Sequence, residues 1–144
     1  MSVQAPVDYT KYFTHSVLTK IHGQPSYNIL NTLKKELKAN ATGIVTDLGG
    51  GYHGHYGLVV TPSEYTNVSP ATPYDRPVHP GVLLIPPGSS NPTITHLKEE
   101  HTDEVNLYRE TVNVERALLK QIREAIDKST SNHSWILPST QSNI

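Results

Sequence analysis

NPTITHLKEEHTDEVNLYRETVNVERALLKQIREAIDK, residues 91–128, contains no glycine and, after Pro92, no proline. Its apolar positions Val105, Tyr108, Val112, Leu119, Ile122 and Ile126 keep a three-four spacing, with Glu115 standing at the step where an apolar residue is missing. That period is the signature of an amphipathic helix. Asn91-Pro92 reads as a cap followed by a first-turn proline. Glu99, Glu100, Asp103 and Glu104 lie early, while Lys120, Arg123 and Lys128 lie late, which suits the helix dipole. One long C-terminal helix is therefore the element on which the fold class rests. At 1.5 Å per residue it spans about 55 Å, whereas a compact chain of this length has a radius of gyration of only about 14 to 15 Å. Either the helix bends or part of its stripe meets another chain.

Upstream, Pro25-Ser26 opens a second helical pattern in which Ile29, Leu30, Leu33, Leu37 and Ala41 share one face and Lys34, Lys35 and Lys38 the other. Leu30, Leu33 and Leu37 are expected to pack on the stripe of the long helix, because neither apolar face has another large surface to cover it. Gly43 can take the left-handed conformation that ends many helices. Six of the nine glycines fall between Gly43 and Gly57, and eight of the eleven prolines between Pro62 and Pro92. Within this punctuated middle, Thr61-Pro62-Ser63-Glu64 predicts a short helix to about Val68, with Thr as N-cap and Glu reaching back to the cap amide. Leu58–Val60 and Val82–Ile85 read equally as short paired strands or extended core segments. The expected organisation is a flexible arm over residues 1–23, one mainly helical domain over 24–128, and a polar tail over 129–144 that frays apart from an anchor at Trp135–Leu137.

Composition narrows function by exclusion. The chain has 144 residues, 35% hydrophobic and 17% charged, which suits one modest core with much loop. Twelve Lys and Arg against thirteen Asp and Glu give a net charge of −1, with no general attraction to nucleic acid or anionic membranes. Without cysteine there is no disulfide framework, thiol nucleophile or zinc knuckle. Neither a secretory leader nor an 18-residue apolar run is present, so a soluble, cytoplasmic protein is expected, and the sequons at Asn40, Asn67 and Asn132 are read as chance.

The candidate chemical motifs are incomplete. His53 and His55 could face one metal, with Asp47 or a distant His79, His96 or His101 completing a site, but no spacing fixes a third ligand. Gly49, Gly51 and Gly54 match GxGxxG literally, yet the motif runs on into His55-Tyr56-Gly57 instead of opening a helix, and no Lys or Arg lies between Lys38 and Arg76. A GxSxG elbow is absent, and the paired carboxylates of the long helix read as a solvated face. No catalytic residue, cofactor site or metal site is therefore assigned. A binding signal remains in Leu118, Leu119, Ile122 and Ile126, where the stripe is widest, with Glu115 limiting the contact to weak self-association.

The order of segments resembles a known family. Thr19-Lys20-Ile21-His22-Gly23-Gln24-Pro25-Ser26-Tyr27, then Leu33 to Ala41, then Asp47-Leu48-Gly49-Gly50-Gly51 with His53-Gly54-His55-Tyr56-Gly57-Leu58-Val59, then Thr61-Pro62-Ser63-Glu64-Tyr65, is similar to the N-terminal gag-like region of copia-type LTR retrotransposon polyproteins. The similarity continues through Arg76-Pro77-Val78-His79-Pro80-Gly81 to Leu118-Leu119-Lys120-Gln121-Ile122 and covers roughly residues 17 to 127. The resemblance implies a capsid-like helical fragment that assembles particles through protein–protein contacts and performs no chemistry. In that family the region leads into further capsid helices, a zinc knuckle and enzymes, whereas here it leads into a Ser/Thr tail, as in a truncated or domesticated remnant. Without a knuckle or a basic tail, RNA association by this chain alone is disfavoured. The alternative is a small metal-binding protein or metal-dependent enzyme using His53 and His55.

Overall fold

A computed structural model of the protein describes residues 7–126 and contains three α-helices: α1 (Tyr27–Thr42), α2 (Pro62–Val68) and α3 (Asn91–Ala125), with short 3-10 turns at Tyr9–Tyr12, Leu48–Gly51 and Tyr56–Leu58. The fold is mainly helical. No named strand occurs among the described residues; Leu58–Val60 is a buried turn segment and Val82–Ile85 is irregular and largely exposed. Among the described residues the single β-type contact is a parallel bridge between Ile21 and Ile126.

Each helix starts where a side-chain oxygen can serve free amides. Ser26 accepts from the Ile29 amide, Thr61 from the Glu64 amide and Ser90 from the Thr93 amide. The cap of α3 is thus Ser90 rather than Asn91, and Glu64 meets the Thr61 hydroxyl at 3.3 Å instead of the cap amide. Two ends differ from expectation. Gly43 is right-handed, with φ −72°, and its amide continues the helical pattern to the Ala39 carbonyl. Helix α3 stops at Ala125 rather than Lys128: Ile126 turns extended, and the Ala125 carbonyl accepts from the Ile21 amide at 2.7 Å.

The core joins Leu33, Leu37 and Ala41 of α1 to Val114, Ala117, Leu118, Ile122 and Ala125 of α3, with Leu30 half-buried beside them. Phe13, Leu18 and Ile21 belong to the same core. Residues 7–23 are therefore not an arm; three apolar side chains bury there because α1 and α3 together leave a seam to fill. A polar clamp fixes the segment in it. Asn40 accepts the His15 amide at 2.7 Å and donates to the His15 carbonyl and to Gln121 Oε1, both at 2.9 Å, while Gln121 donates to the His15 and Ser16 carbonyls at 2.8 and 3.0 Å. Asn40 and Gln121 are both buried, so each unpaired group would carry its full desolvation cost. At the next turn of α1, Glu36 receives the Thr19 amide and hydroxyl.

All buried residues of α3 lie from Thr111 onward, and its N-terminal twenty residues contribute none. This half runs beside residues 79–81, where His79 meets Tyr108 edge-on at 5.4 Å and His101 bonds the Gly81 carbonyl at 2.7 Å. The tail over 129–144, with its anchor at Trp135–Leu137, lies outside the described residues.

Truncating Leu33 to Ala is expected to cost about 2 to 5 kcal/mol in urea unfolding, as for a closed core site. Asn40→Ala is expected to cost about 1 to 3 kcal/mol for each group of the clamp left without a partner. Lys34→Ala, on the exposed face of α1, should stay within about 0.5 kcal/mol. A clamp that contributes nothing would show Asn40→Ala behaving like Lys34→Ala.

Candidate functional site

The glycine-rich loop is shaped by close approaches within the chain. Gly54 adopts φ +51°, and a Cβ there would collide with the Thr42 and Ile44 carbonyl oxygens; Gly49 adopts φ +61° under the Tyr65 ring, whose hydroxyl donates to the Gly49 carbonyl at 3.3 Å. Passing so tightly beneath the end of α1, the loop lets the His55 amide donate to the Ala41 carbonyl at 2.9 Å. His55 is thereby carried into the interior, where its side chain is fully buried.

Around His55 the structure assembles groups distant in sequence. Nδ1 lies 2.8 Å from the Tyr74 hydroxyl, and Nε2 lies 3.9 Å from a carboxylate oxygen of Glu110 on α3, too far for a hydrogen bond. Nε2 has no hydrogen-bond partner. The carboxylate favours a proton on Nε2, so Nδ1 accepts and the Tyr74 hydroxyl donates. Tyr74 also packs on Tyr65 at 5.6 Å and against Gly57. Next to this group Arg76 forms a two-pronged pair with Glu115, at 2.5 and 2.6 Å.

Burial sets the protonation of these groups. Desolvation pushes His55 down to about 4, so it is neutral near pH 7, and raises the Tyr74 phenol. Glu110 is shifted upward, first by desolvation and then by the Asp47 charge. Tyr74 and His55 form a hydrogen-bonded pair, with the Glu110 carboxylate 3.9 Å from the other ring nitrogen. The neighbouring cleft of about 240 Å³ is lined by Gly57, Leu58, Val60, Thr61, Pro62, Tyr74 and Arg76. Its three polar side chains are engaged, Thr61 by Glu64, Tyr74 by His55 and Arg76 by Glu115.

The sequence motifs fare differently. His53 sits edge-on to Tyr65 at 6.0 Å, while His55 faces Tyr74 and Glu110, and no group of three or more potential metal ligands forms among the described residues. A metal on His55 Nδ1 would have to displace Tyr74. The expected interaction surface Leu118, Leu119, Ile122 and Ile126 is turned inward: Leu118 and Ile122 are buried, and Leu119 and Ile126 are half-buried against the core. The reason is the N-terminal segment, whose Leu18 and Ile21 complete the same core that this stripe enters. Sequence reading passed over Tyr74, Arg76 and Glu110. A signal for one contact was present, since Glu115 interrupts an apolar stripe and Arg76 is the only cation between Lys38 and Lys98.

Compared with models of protein families, with curated protein sequences and with solved structures, the chain matches none. Among the described residues no helix is long and apolar enough to cross a membrane.

The His55 shift has a definite sign. Its folded value, about 4, lies below the ordinary 6.5, so its contribution is complete above about pH 6.5 and is lost as pH falls toward 4. Between about pH 7 and about pH 4.5 this loss amounts to roughly 2 to 3 kcal/mol. His55→Asn, which keeps an acceptor for Tyr74, should be less stable at neutral pH and should lose less stability over that interval by this amount. Equal acid slopes in the two proteins would remove His55 as the acid-sensitive group.

Proposed function

We propose that this chain is a non-enzymatic interaction module of gag-like type, acting in the cytoplasm by protein–protein assembly. The observation that carries this reading is an uncovered apolar surface. Val78, Val82 and Leu84 are 79%, 85% and 81% exposed within seven residues, beside the half of α3 that lies outside the core. Clustered apolar side chains facing water are a common mark of association surfaces. This surface follows Arg76-Pro77-Val78-His79-Pro80-Gly81, a part of the sequence that carries the resemblance to retrotransposon gag regions. It takes the place of the inward-facing Leu118–Ile126 stripe as the site of self-association.

We assign the arrangement around His55 no catalytic role. Its hydroxyl, imidazole and carboxylate are turned toward one another, and the cleft beside them offers no unengaged nucleophile or charge. A net charge of −1 gives RNA no general attraction to the chain.

Light-scattering mass measured from low to high micromolar concentration should rise above the 15.9 kDa of a single chain. Ile122→Asp, now a charge in the core at 5% exposure, should unfold the protein rather than simply dissociate it. A wild-type chain that stays monomeric at several hundred micromolar would end the assembly reading.

A further inference from the structure

The N-terminal segment and the last turns of α3 leave a cavity of about 210 Å³ between them. Val17, Leu18 and Ala125 give it apolar walls, to which Lys20 and Glu124 add their aliphatic stems and opposite charges. Gln121 of the clamp lines it as well. Val17 is 71% exposed, although Leu18 beside it is buried. Lys20 and Glu124 are also exposed, and neither has an ion pair among the described residues. The cavity thus combines apolar walls open to water with an unpaired cation and an unpaired hydrogen-bond acceptor.

That combination suits an indole better than an aliphatic side chain. A tryptophan carries about 150 to 250 Å² of surface to bury and an N–H that needs an acceptor. Its ring face also attracts an ammonium group more strongly than that of tyrosine or phenylalanine. The chain has one tryptophan, and Trp135, Ile136 and Leu137 are the only hydrophobic residues between Lys128 and Asn143.

The tether selects the occupant. Ala125 stands in the cavity wall, and the bridge to Ile21 holds Ile126 beside the same N-terminal segment. Eight residues, 127–134, all polar or charged, separate Ile126 from Trp135. A flexible stretch of that length has an end-to-end distance of about 15 Å, whereas the helical wall from Gln121 to Ala125 measures only about 6 Å. A side chain tethered so closely is presented at an effective concentration on the order of millimolar. No separate chain at micromolar concentration competes with it.

We propose that Trp135 fills this cavity within its own chain, its ring against Val17 and the Lys20 ammonium and its N–H donated to the Glu124 carboxylate. The segment after α3 then acts as a latch, joining the end of that helix to residues 17–20 a second time beyond the Ile21 bridge. The contact needs no second copy and stands apart from the assembly reading.

Because Trp135 is the sole tryptophan, its fluorescence in the full chain reads the contact directly. Wild type at low micromolar concentration should emit at shorter wavelength than the urea-unfolded chain and should be less quenched by acrylamide. Val17→Lys puts a charge against the ring at a position exposed enough that far-UV circular dichroism should stay that of wild type, and should move emission and quenching to those of the unfolded chain. Val45→Lys, at 80% exposure and outside the cavity, should leave both as in wild type. Wild-type emission equal to that of the unfolded chain overturns the latch. A short-wavelength emission that a folded Val17→Lys protein retains overturns it too, since Trp135 is then seated elsewhere. So does one that appears only as concentration rises to several hundred micromolar, which would seat the ring on a second copy.

Discussion

The clamp made by Asn40 and Gln121 on the His15–Ser16 backbone is the constraint on which the rest of the arrangement depends. Two helices with one apolar face each can pack in several registers at little difference in energy, since hydrophobic contact is not directional. Buried amides remove that freedom, because their donors and acceptors must all meet partners at once. Asn40 on α1 and Gln121 on α3 bond each other and the same stretch of main chain, so the helices are set relative to one another by a third element lying between them. Leu18 and Ile21 then fall into the remaining seam, and the Ile21 amide takes the carbonyl that ends α3.

Much of this was legible in the residues and some of it could not be. Helix positions followed from capping side chains and periodicity, which act over three or four residues. The packing of Leu33 and Leu37 on α3 followed from the lack of any other large apolar face. The role of residues 7–23 did not follow, because Phe13, Leu18 and Ile21 are buried singly along irregular chain, and irregular chain imposes no period on sequence. Burying them turned Leu118 and Ile122 from an expected surface into core. The same blindness applies to His55, whose setting depends on Tyr74 and Glu110, nineteen and fifty-five residues away in the chain. Val82–Ile85 read equally as a strand or an extended core segment and is neither, being irregular and largely exposed between its flanking glycines and prolines.

A second belt of polar contacts ties the glycine-rich and proline-rich segments to α3. His55 with Tyr74, Arg76 with Glu115, and His79 with Tyr108 succeed one another along the chain. Arg76 and Glu115 are the costliest of these to separate, since Glu115 is 12% exposed and would otherwise be a carboxylate without its counter-charge at the edge of the core. An acidic residue on an apolar stripe is thus no flaw in the helix. It is the point where a loop lacking regular structure is given one fixed position.

The distance in sequence between the parts of the clamp bears on how the protein is made. Gln121 reaches back 106 residues to the His15 carbonyl. At roughly 5 to 20 residues per second of synthesis, the N-terminal segment and α1 emerge on the order of 5 to 20 s before the glutamine that joins them exists. Over that interval Leu18, Ile21 and the α1 face Leu33–Leu37 have no α3 to cover them, and Asn40 has no permanent partner. The nascent chain therefore carries this apolar surface uncovered until α3 has been synthesised and can close over it.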